Sequence, residues 1–433
     1  MQQDIYFSEN YKKRIKSDTS HHMCIGLMIV IAILLLARDA FGVGINKYLL
    51  LLLLLPALLL FKERYALMLW VFLMPLYVGL PGNYITLIFL LRFLLHEVST
   101  GRFKVYKIPF ILTAFLASFV FIQNIFYNDT GIYYMIFIVE LFVVYFFMMQ
   151  DHRSYFPDMM LAYSFGVAMT GIIMLIATLQ TYSFEELLSV ATRLGYVGRT
   201  SEMSVIIDPN YYGLFALTVL SCNWLLIIKK MYSKKQKLFS ILLTATSIAI
   251  ALIGLSRAFI LCFALWIVLS ALFEKRLSSK MRVLIIGIVC VIVACYVFPD
   301  TVRMISERFT SADMKTGNGR TDILGEMGKQ WGRSVFTMLF GIGLFNCNVH
   351  FMQMQYFFGL GIVGSFMILA LGICYWKWMK HGSGKFSWDS MIPIVIVQIS
   401  ASSVPTAQSL TFMMPVVMSL LVFGVASQFE FLK

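Results

Sequence analysis

Charged residues are the scarcest class in this 433-residue chain, because Asp, Glu, Lys and Arg together make up only 13% of it. Soluble domains carry roughly twice that share. Hydrophobic residues make up 60% of the chain, and the mean hydropathy is +0.81. Apolar runs of about 18 or more residues are typical of membrane-spanning helices, and here they recur along the whole chain. The composition excludes an ordinary soluble protein and predicts an all-α, polytopic membrane protein.

Cysteine is sparse as well, with seven residues, most of them inside apolar runs. No CxxC pair and no Cys/His spacing predicts a disulfide framework or a metal site. Acidic residues are fewer than basic ones, 22 against 35, which gives a net charge of +13. Most of the basic residues lie in short loops between apolar runs, where they set topology and contact anionic lipid. We therefore expect membrane lipids as partners and no nucleic acid.

The apolar runs predict a single membrane domain over 1–433 with about 12–14 spans. They lie at 23–37, 45–61, 65–80, 84–97, 108–127, 132–149, 159–180, 211–228, 238–255, 258–273, 283–298, 351–375, 391–406 and 410–429. Every second loop is basic, for example 62–64, 229–237 and 274–282, whereas the short turns 81–83 and 128–131 carry no Lys or Arg. This alternation predicts a multi-pass protein of the cytoplasmic membrane with both termini in the cytoplasm.

Two long segments fall on the outer side in this topology, at 181–210 and 299–350. Long loops escape the positive-inside rule, so their basic residues do not contradict the orientation. In the second segment, Asp322–Arg333 places Ile323, Leu324, Met327 and Trp331 on one side of a helix. We expect an amphipathic helix on the outer leaflet, with Trp331 at the headgroup level.

Arg320, Arg257 and His350 are the candidate catalytic residues. Arg320 follows a glycine-rich turn at 316–319 and precedes that helix, so backbone N–H groups and a guanidinium suit an anion. Contact with a lipid phosphate and a turn cap are the alternatives. Arg257 interrupts a long apolar stretch, either as a functional intramembrane charge or at a tight turn between two spans. His350 lies at the outer end of a span, where an imidazole is able to act as a base.

Several short motifs together resemble the O-antigen polymerase and O-antigen ligase superfamily of membrane glycosyltransferases. They are GLSRAFILCF at 254–263, NGR at 318–320, FGIGLFN at 340–346, His350 followed by GLGIVG at 359–364, and DPNYYG at 208–213. The resemblance covers about residues 190–370. In ligases the histidine is followed by Asn, Ser or Gln, whereas Phe351 follows His350 here.

The resemblance implies a C-type glycosyltransferase fold whose two long outer segments act on lipid-linked glycans. The polymerase moves a growing glycan from undecaprenyl pyrophosphate to a lipid-linked acceptor repeat unit, and a flippase and a chain-length regulator are its implied partners. Arginines suit the pyrophosphate leaving group. The outer segments lack a DxD-like motif, so no metal or other cofactor is expected. The expected substrate-binding residues are Arg193, Arg199, Asp208, Asn210, Arg303 and Arg308, and Asp208 and Glu202 are further candidates for the base.

Two other functions fit the same residues. One is an O-antigen ligase that moves polymer to lipid A-core. The other is a transporter or flippase of lipid-linked or anionic substrates, since arginines in spans and glycine-rich helices occur there too. The absence of a visible internal repeat and the concentration of charge in the outer segments favour the enzyme.

Overall fold

The computed structural model describes most of the predicted helices and part of the outer segments. The described residues are 19–80, 82–99, 105–127, 131–149, 155–183, 186, 194, 208–254, 256–273, 277–297, 299, 302–303, 306, 320–347, 349, 351–380, 388–404 and 410–429. Over these residues the chain is helical and contains no strand. The prediction of an all-α architecture is confirmed.

Sixteen α-helices occur within the described residues. They are α1 (Thr19–Leu35), α2 (Lys47–Leu60), α3 (Glu63–Leu73), α4 (Gly82–Ser99), α5 (Lys107–Phe126), α6 (Gly131–Met148), α7 (Phe156–Leu179), α8 (Pro209–Ile228), α9 (Lys234–Ile253), α10 (Arg257–Phe273), α11 (Leu277–Val297), α12 (Arg320–Trp331), α13 (Val335–Phe340), α14 (Met352–Lys380), α15 (Trp388–Ala401) and α16 (Leu410–Phe429). A π-helical turn, Leu36–Ala40, extends α1, and a 3-10 turn, Met74–Gly79, extends α3.

Each of the fourteen apolar runs coincides with one of these helices, within a few residues at either end. Six helices of the described chain are long and apolar enough to cross a membrane by length and composition, namely α1 with its π turn, α5, α7, α8, α9 and α14. Shorter apolar helices of 10–17 residues include α10 and α15. Several apolar helices thus indicate a membrane protein, while the full number of crossings stays a prediction.

Helix α8 lies at the centre of the bundle, with 78% of its most apolar window buried. It packs against α7, α9, α10, α15 and α16. Helices α9 and α11 lie at the edge and expose large apolar side chains such as Leu242 and Ile288. In a membrane protein such a surface faces lipid acyl chains, because these chains are as apolar as leucine.

Contacts between helix ends sort those ends into two groups, as alternating spans require. In one group, Lys229 pairs with Asp389, and Gln236 Nε2 donates to Asp158 Oδ1 at 2.7 Å. In the other, Ser256 bonds to Asn210, and Gln180 Nε2 donates to the Ala40 carbonyl. Each pair joins ends that the loop charges place on the same side. The first group is the predicted cytoplasmic one, and its orientation in a membrane stays a prediction.

Candidate functional site

Two helices begin next to each other on the side that the loop charges assign to the outside. Helix α8 begins after Asp208, whose Oδ1 accepts a hydrogen bond from the Asn210 backbone N–H at 2.7 Å. Helix α10 begins after Ser256, whose Oγ accepts a hydrogen bond from the Phe259 backbone N–H at 3.3 Å. Asp and Ser are strongly preferred at this position because their oxygens satisfy otherwise unpaired N–H groups. Asp208 and Ser256 are thus the N-caps of the two helices.

A side-chain hydrogen bond ties the two helix starts together. Ser256 Oγ donates to Asn210 Oδ1 at 2.8 Å, and Ser256 is buried. Just below, α8 and α10 approach so closely that a Cβ added to Gly213 would lie 2.9 Å from the Phe259 Cβ. The pair of helix starts is therefore fixed both by a polar contact and by close packing.

The electrostatics at this place favour an anion beside α10 rather than beside α8. A helix N-terminus carries about half a positive unit charge. At α8 this charge faces the Asp208 carboxylate, which also occupies the Asn210 N–H. At α10 the cap is a neutral serine, and the first residue is the half-buried Arg257. The helix dipole and the guanidinium therefore reinforce each other at Arg257.

The location of Arg257 decides between its two sequence interpretations. Helix α9 ends at Ile253 and α10 begins at Arg257, so the arginine follows a tight turn between two helices. It does not lie in the middle of a span. This placement spares the chain the roughly 2.5–3.5 kcal/mol that an arginine costs at the centre of a membrane helix.

The start of α14 and the first turns of α8 contribute to one buried apolar cluster. Met352 and Leu214 belong to one buried apolar cluster with Val397, Ala401 and Val404, and Tyr211 and Tyr356 pack against it. Tyr211 follows Asn210 directly. The C-terminal end of the second outer segment thus leads into a helix that shares this cluster with the start of α8.

The amphipathic helix of the second outer segment exists as α12, two residues earlier than expected. Its apolar side packs on protein: Leu324, Met327 and Trp331 contact a buried cluster that contains Phe358. The Trp331 ring centroid lies 5.0 Å from that of Phe357 and 5.9 Å from that of Phe358. The apolar stripe therefore docks α12 onto α14, and a headgroup position for Trp331 stays a prediction.

A glycine crossing, formed by Gly341, Gly343, Gly359 and Gly361, joins the turn after α13 to a break in α14. Gly361 has a φ of +67°, which interrupts the helix. The backbone N–H groups of Ile342 and Gly343 donate to the carbonyls of Phe358 and Gly359 at 2.9 and 3.1 Å. A Cβ added to Gly341 would lie 2.2 Å from the Gly359 carbonyl oxygen. The absence of side chains at these glycines therefore permits a close approach of the two backbone segments.

Two polar side chains complete the crossing, one from Gln123 in α5 and one from Tyr127 directly after this helix. Gln123 Nε2 donates to the Phe340 and Gly359 carbonyls at 2.5 and 2.9 Å. The Tyr127 hydroxyl donates to the Gly341 carbonyl at 2.8 Å. The carbonyls at the end of α13 and at the break in α14 thus find partners within the protein, as backbone polar groups away from water require.

The structure brings together three of the residues that the sequence predicts for the site, namely Asp208, Asn210 and Arg257. Asp208 and Asn210 hold the helix starts in place, so both residues have a structural role. Arg303 is exposed. Arg320 is the first residue of α12. The predicted residues Arg193, Arg199, Glu202, Arg308 and His350 lie outside the described residues, as does the predicted encounter of Arg199 with His350.

Sequence reasoning missed Ser256, which links Asn210 to the start of α10. A serine immediately before a helix is the ordinary N-cap pattern, so that signal was readable. The hydrogen bond from Ser256 to Asn210, 46 positions earlier, could not be predicted from one sequence.

The first outer segment begins with a local turn. Glu186 Oε2 accepts hydrogen bonds from the Ser183 backbone N–H and hydroxyl at 2.8 and 3.0 Å, which lowers the pKa of the Glu186 carboxyl. Across the part of the chain that the structure describes, no three His, Cys, Asp or Glu side chains group as metal ligands would. Independence from metal stays a prediction.

Comparison with known proteins identifies no relative: no family model, no curated protein and no solved structure matches the chain.

Proposed function

We propose that this chain is a polymerase of surface polysaccharide repeat units, of O-antigen or capsule, in the bacterial cytoplasmic membrane. It would have a C-type glycosyltransferase-like bundle of 12–14 spans, two long outer segments and cytoplasmic termini. The observation that carries the proposal is the pairing of the α8 and α10 starts around Asn210 and Ser256, with Arg257 first in α10. A lipid-linked pyrophosphate is the anion for which such a site is suited.

In the proposed reaction, a hydroxyl of the lipid-linked acceptor repeat unit attacks the anomeric carbon of the donor glycan. A new glycosidic bond forms, and the bond between the anomeric carbon and the phosphate oxygen breaks. Undecaprenyl pyrophosphate leaves with the bonding electrons. Arg257, the N-terminus of α10 and Arg320 would stabilise the charge that develops on the leaving group. Arg199, Arg193, Arg303 and Arg308 would bind further phosphate and sugar oxygens.

The proton of the acceptor hydroxyl needs a base, and His350 is the residue we favour. Asp208 caps α8, and its Oδ1 already accepts the Asn210 N–H, so this carboxylate has a structural task at the helix start. His350 precedes Phe351 and Met352, and Met352 packs in the same cluster as Leu214 of α8. Glu202 remains the third candidate for this role.

The break in α14 is the one observation that favours a transporter, since discontinuous helices are frequent at transport sites. There, the unwound backbone lines a cavity and binds the substrate. Here, the break at Gly361 is filled by protein: an added Cβ would lie 2.4 Å from the Gly341 nitrogen and 2.5 Å from the Leu339 carbonyl oxygen. Gln123 also occupies the Gly359 carbonyl. We therefore prefer the enzyme.

Deletion of the protein from its host separates the candidate functions. A polymerase deletion leaves one repeat unit on each anchor when surface polysaccharide is resolved on a gel. A ligase deletion leaves long polymer that is not attached to lipid A-core. Loss of all repeat units at the surface would indicate a flippase and would contradict the proposal.

A further inference from the structure

A small pocket lies at the opposite ends of the same helices that form the candidate site. The residues that line it include Ser221 and Trp224 of α8, Ser270 of α10, and Asp389 and Pro393 of α15. We call it the Asp389 pocket. Its free space is about that of a single water molecule.

Two polar groups that line the pocket have no protein partner. Within the described chain, the Trp224 indole Nε1–H and the Ser270 hydroxyl are shielded from solvent and make no hydrogen bond. Ser270 is fully buried. Leaving such a group unpaired in a protein interior is unfavourable, because it has lost its hydrogen bonds to water. By contrast, the Ser221 hydroxyl in the same wall donates to the Leu217 carbonyl at 2.7 Å.

The third polar group of the pocket is one half of a buried ion pair. Asp389 Oδ2 lies 2.8 Å from Lys229 Nζ, and both side chains are less than a tenth exposed. Asp389 Oδ1 also accepts the Ser390 backbone N–H at 3.0 Å. A carboxylate accepts about four hydrogen bonds, so Asp389 has capacity beyond these two contacts.

We infer that the Asp389 pocket binds water, which bridges the Asp389 carboxylate to the Ser270 hydroxyl and the Trp224 indole. Water fits because it donates to a carboxylate and accepts from an indole N–H at the same time. An anion would be repelled by Asp389. A cation would compete with Lys229 for the carboxylate and would face the indole N–H. The water thus connects α8, α10 and α15 at the end remote from Arg257, and this inference does not depend on the proposed function.

Radiolytic labelling of the full-length protein in lipid nanodiscs tests for this water, because hydroxyl radicals formed from a bound water modify the side chain beside it. We expect Trp224 to be labelled in the wild type and to lose most of that labelling in Ser270→Val, whose larger side chain fills the pocket. Trp70 of α3, which is buried against Phe89 and Phe147 and does not line the pocket, serves as the internal control. Equal Trp224 labelling in both proteins would contradict the inference.

Thermal unfolding gives a second test whose sign differs between a wet and a dry pocket. If Ser270 binds water, Ser270→Ala removes that hydrogen bond and lowers the melting midpoint by about 1–2 °C. If the pocket is dry, the same change removes an unpaired hydroxyl, so an unchanged or raised midpoint contradicts the inference. Ser221→Ala is the matched control, because its hydroxyl is already paired within α8.

Discussion

At the scale of single residues, the positive charge of the Arg257 guanidinium adds to the partial positive charge at the N-terminus of α10. Replacing Arg257 with Ala should abolish long polysaccharide chains at normal protein level, because the leaving pyrophosphate loses its cation. We expect the same result for Arg320→Ala. Lys at either position should restore chain length only in part, since an ammonium does not form the bidentate contact of a guanidinium.

The control for these variants is Arg333→Ala, which removes an exposed arginine from the outer segment that holds Arg320. We expect it to leave the chain-length distribution on a polysaccharide gel unchanged. Polysaccharide chains of full length in the Arg257→Ala strain would show that Arg257 is not part of the pyrophosphate site.

Ser256 is the second test at this scale, since it caps α10 and also bonds to Asn210. Ser256→Ala should lower stability by about 0.5–2 kcal/mol through loss of the cap. It should also reduce kcat, because Arg257 is no longer held at a fixed distance from α8. Ser256→Thr keeps a hydroxyl and should restore kcat. The comparison is made by thermal unfolding and initial rates, and equal rates for the Ala and Thr variants would show that the hydroxyl does not position Arg257.

At the scale of elements, the glycine crossing fixes α13 and α14 against α5. Gly341 has a φ of +80°, and an added Cβ would meet the Gly359 backbone, which has no flexible end to move aside. Gly341→Ala should therefore prevent normal folding, seen as loss of the monodisperse peak in size-exclusion chromatography. Gly372→Ala in α14 meets nothing within 4 Å. It should behave as the wild type, and equal behaviour of the two variants would show that the crossing is not tight.

The Lys229–Asp389 pair joins α8 to α15 and is the other contact that we test at this scale. Lys229 follows the C-terminus of α8 and Asp389 lies in the first turn of α15, so each charge is at the helix end that favours it. Lys229→Ala should destabilise by about 3–5 kcal/mol, because a buried carboxylate loses its partner. The double variant Lys229→Met with Asp389→Leu should recover most of that loss.

Thermal unfolding of the single and double variants checks this prediction, with Lys235→Ala as an exposed control. A Lys229→Ala protein as stable as the control would show that the pair contributes nothing. A double variant no better than the single one would show that the two charges act separately.

At the scale of the whole molecule, the sequence predicts helices well because each apolar run is long and most runs are bounded by charged or glycine-containing turns. All fourteen runs lie on helices, and α12 was readable from its apolar stripe. The partner of that stripe was not readable, since Phe357 and Phe358 lie far along the chain. Likewise, the sequence marks Arg257 as unusual, but only the hydrogen bond between Ser256 and Asn210 shows that Arg257 lies beside the start of α8.

The break in α14 shows a different limit of the sequence. Three glycines at 359, 361 and 364 predict close packing, and Gly359 and Gly361 do contact another backbone segment. Whether such a cluster bends the helix depends on that segment, here Leu339–Gly343, and on the polar groups of Gln123 and Tyr127. The hydrogen bonds of Gln123 and Tyr127 join residues more than 200 positions apart.

The most direct measurement of the proposed function uses the lipid-linked single repeat units that a deletion strain accumulates. Purified full-length protein is incubated with this extract, and the products are resolved by chain length and by retention of the lipid pyrophosphate. We expect a ladder of lipid-linked chains with release of undecaprenyl pyrophosphate, unaffected by EDTA and absent with the Arg257→Ala protein. Repeat units that remain single in the presence of folded wild-type protein would contradict the assignment as a polymerase.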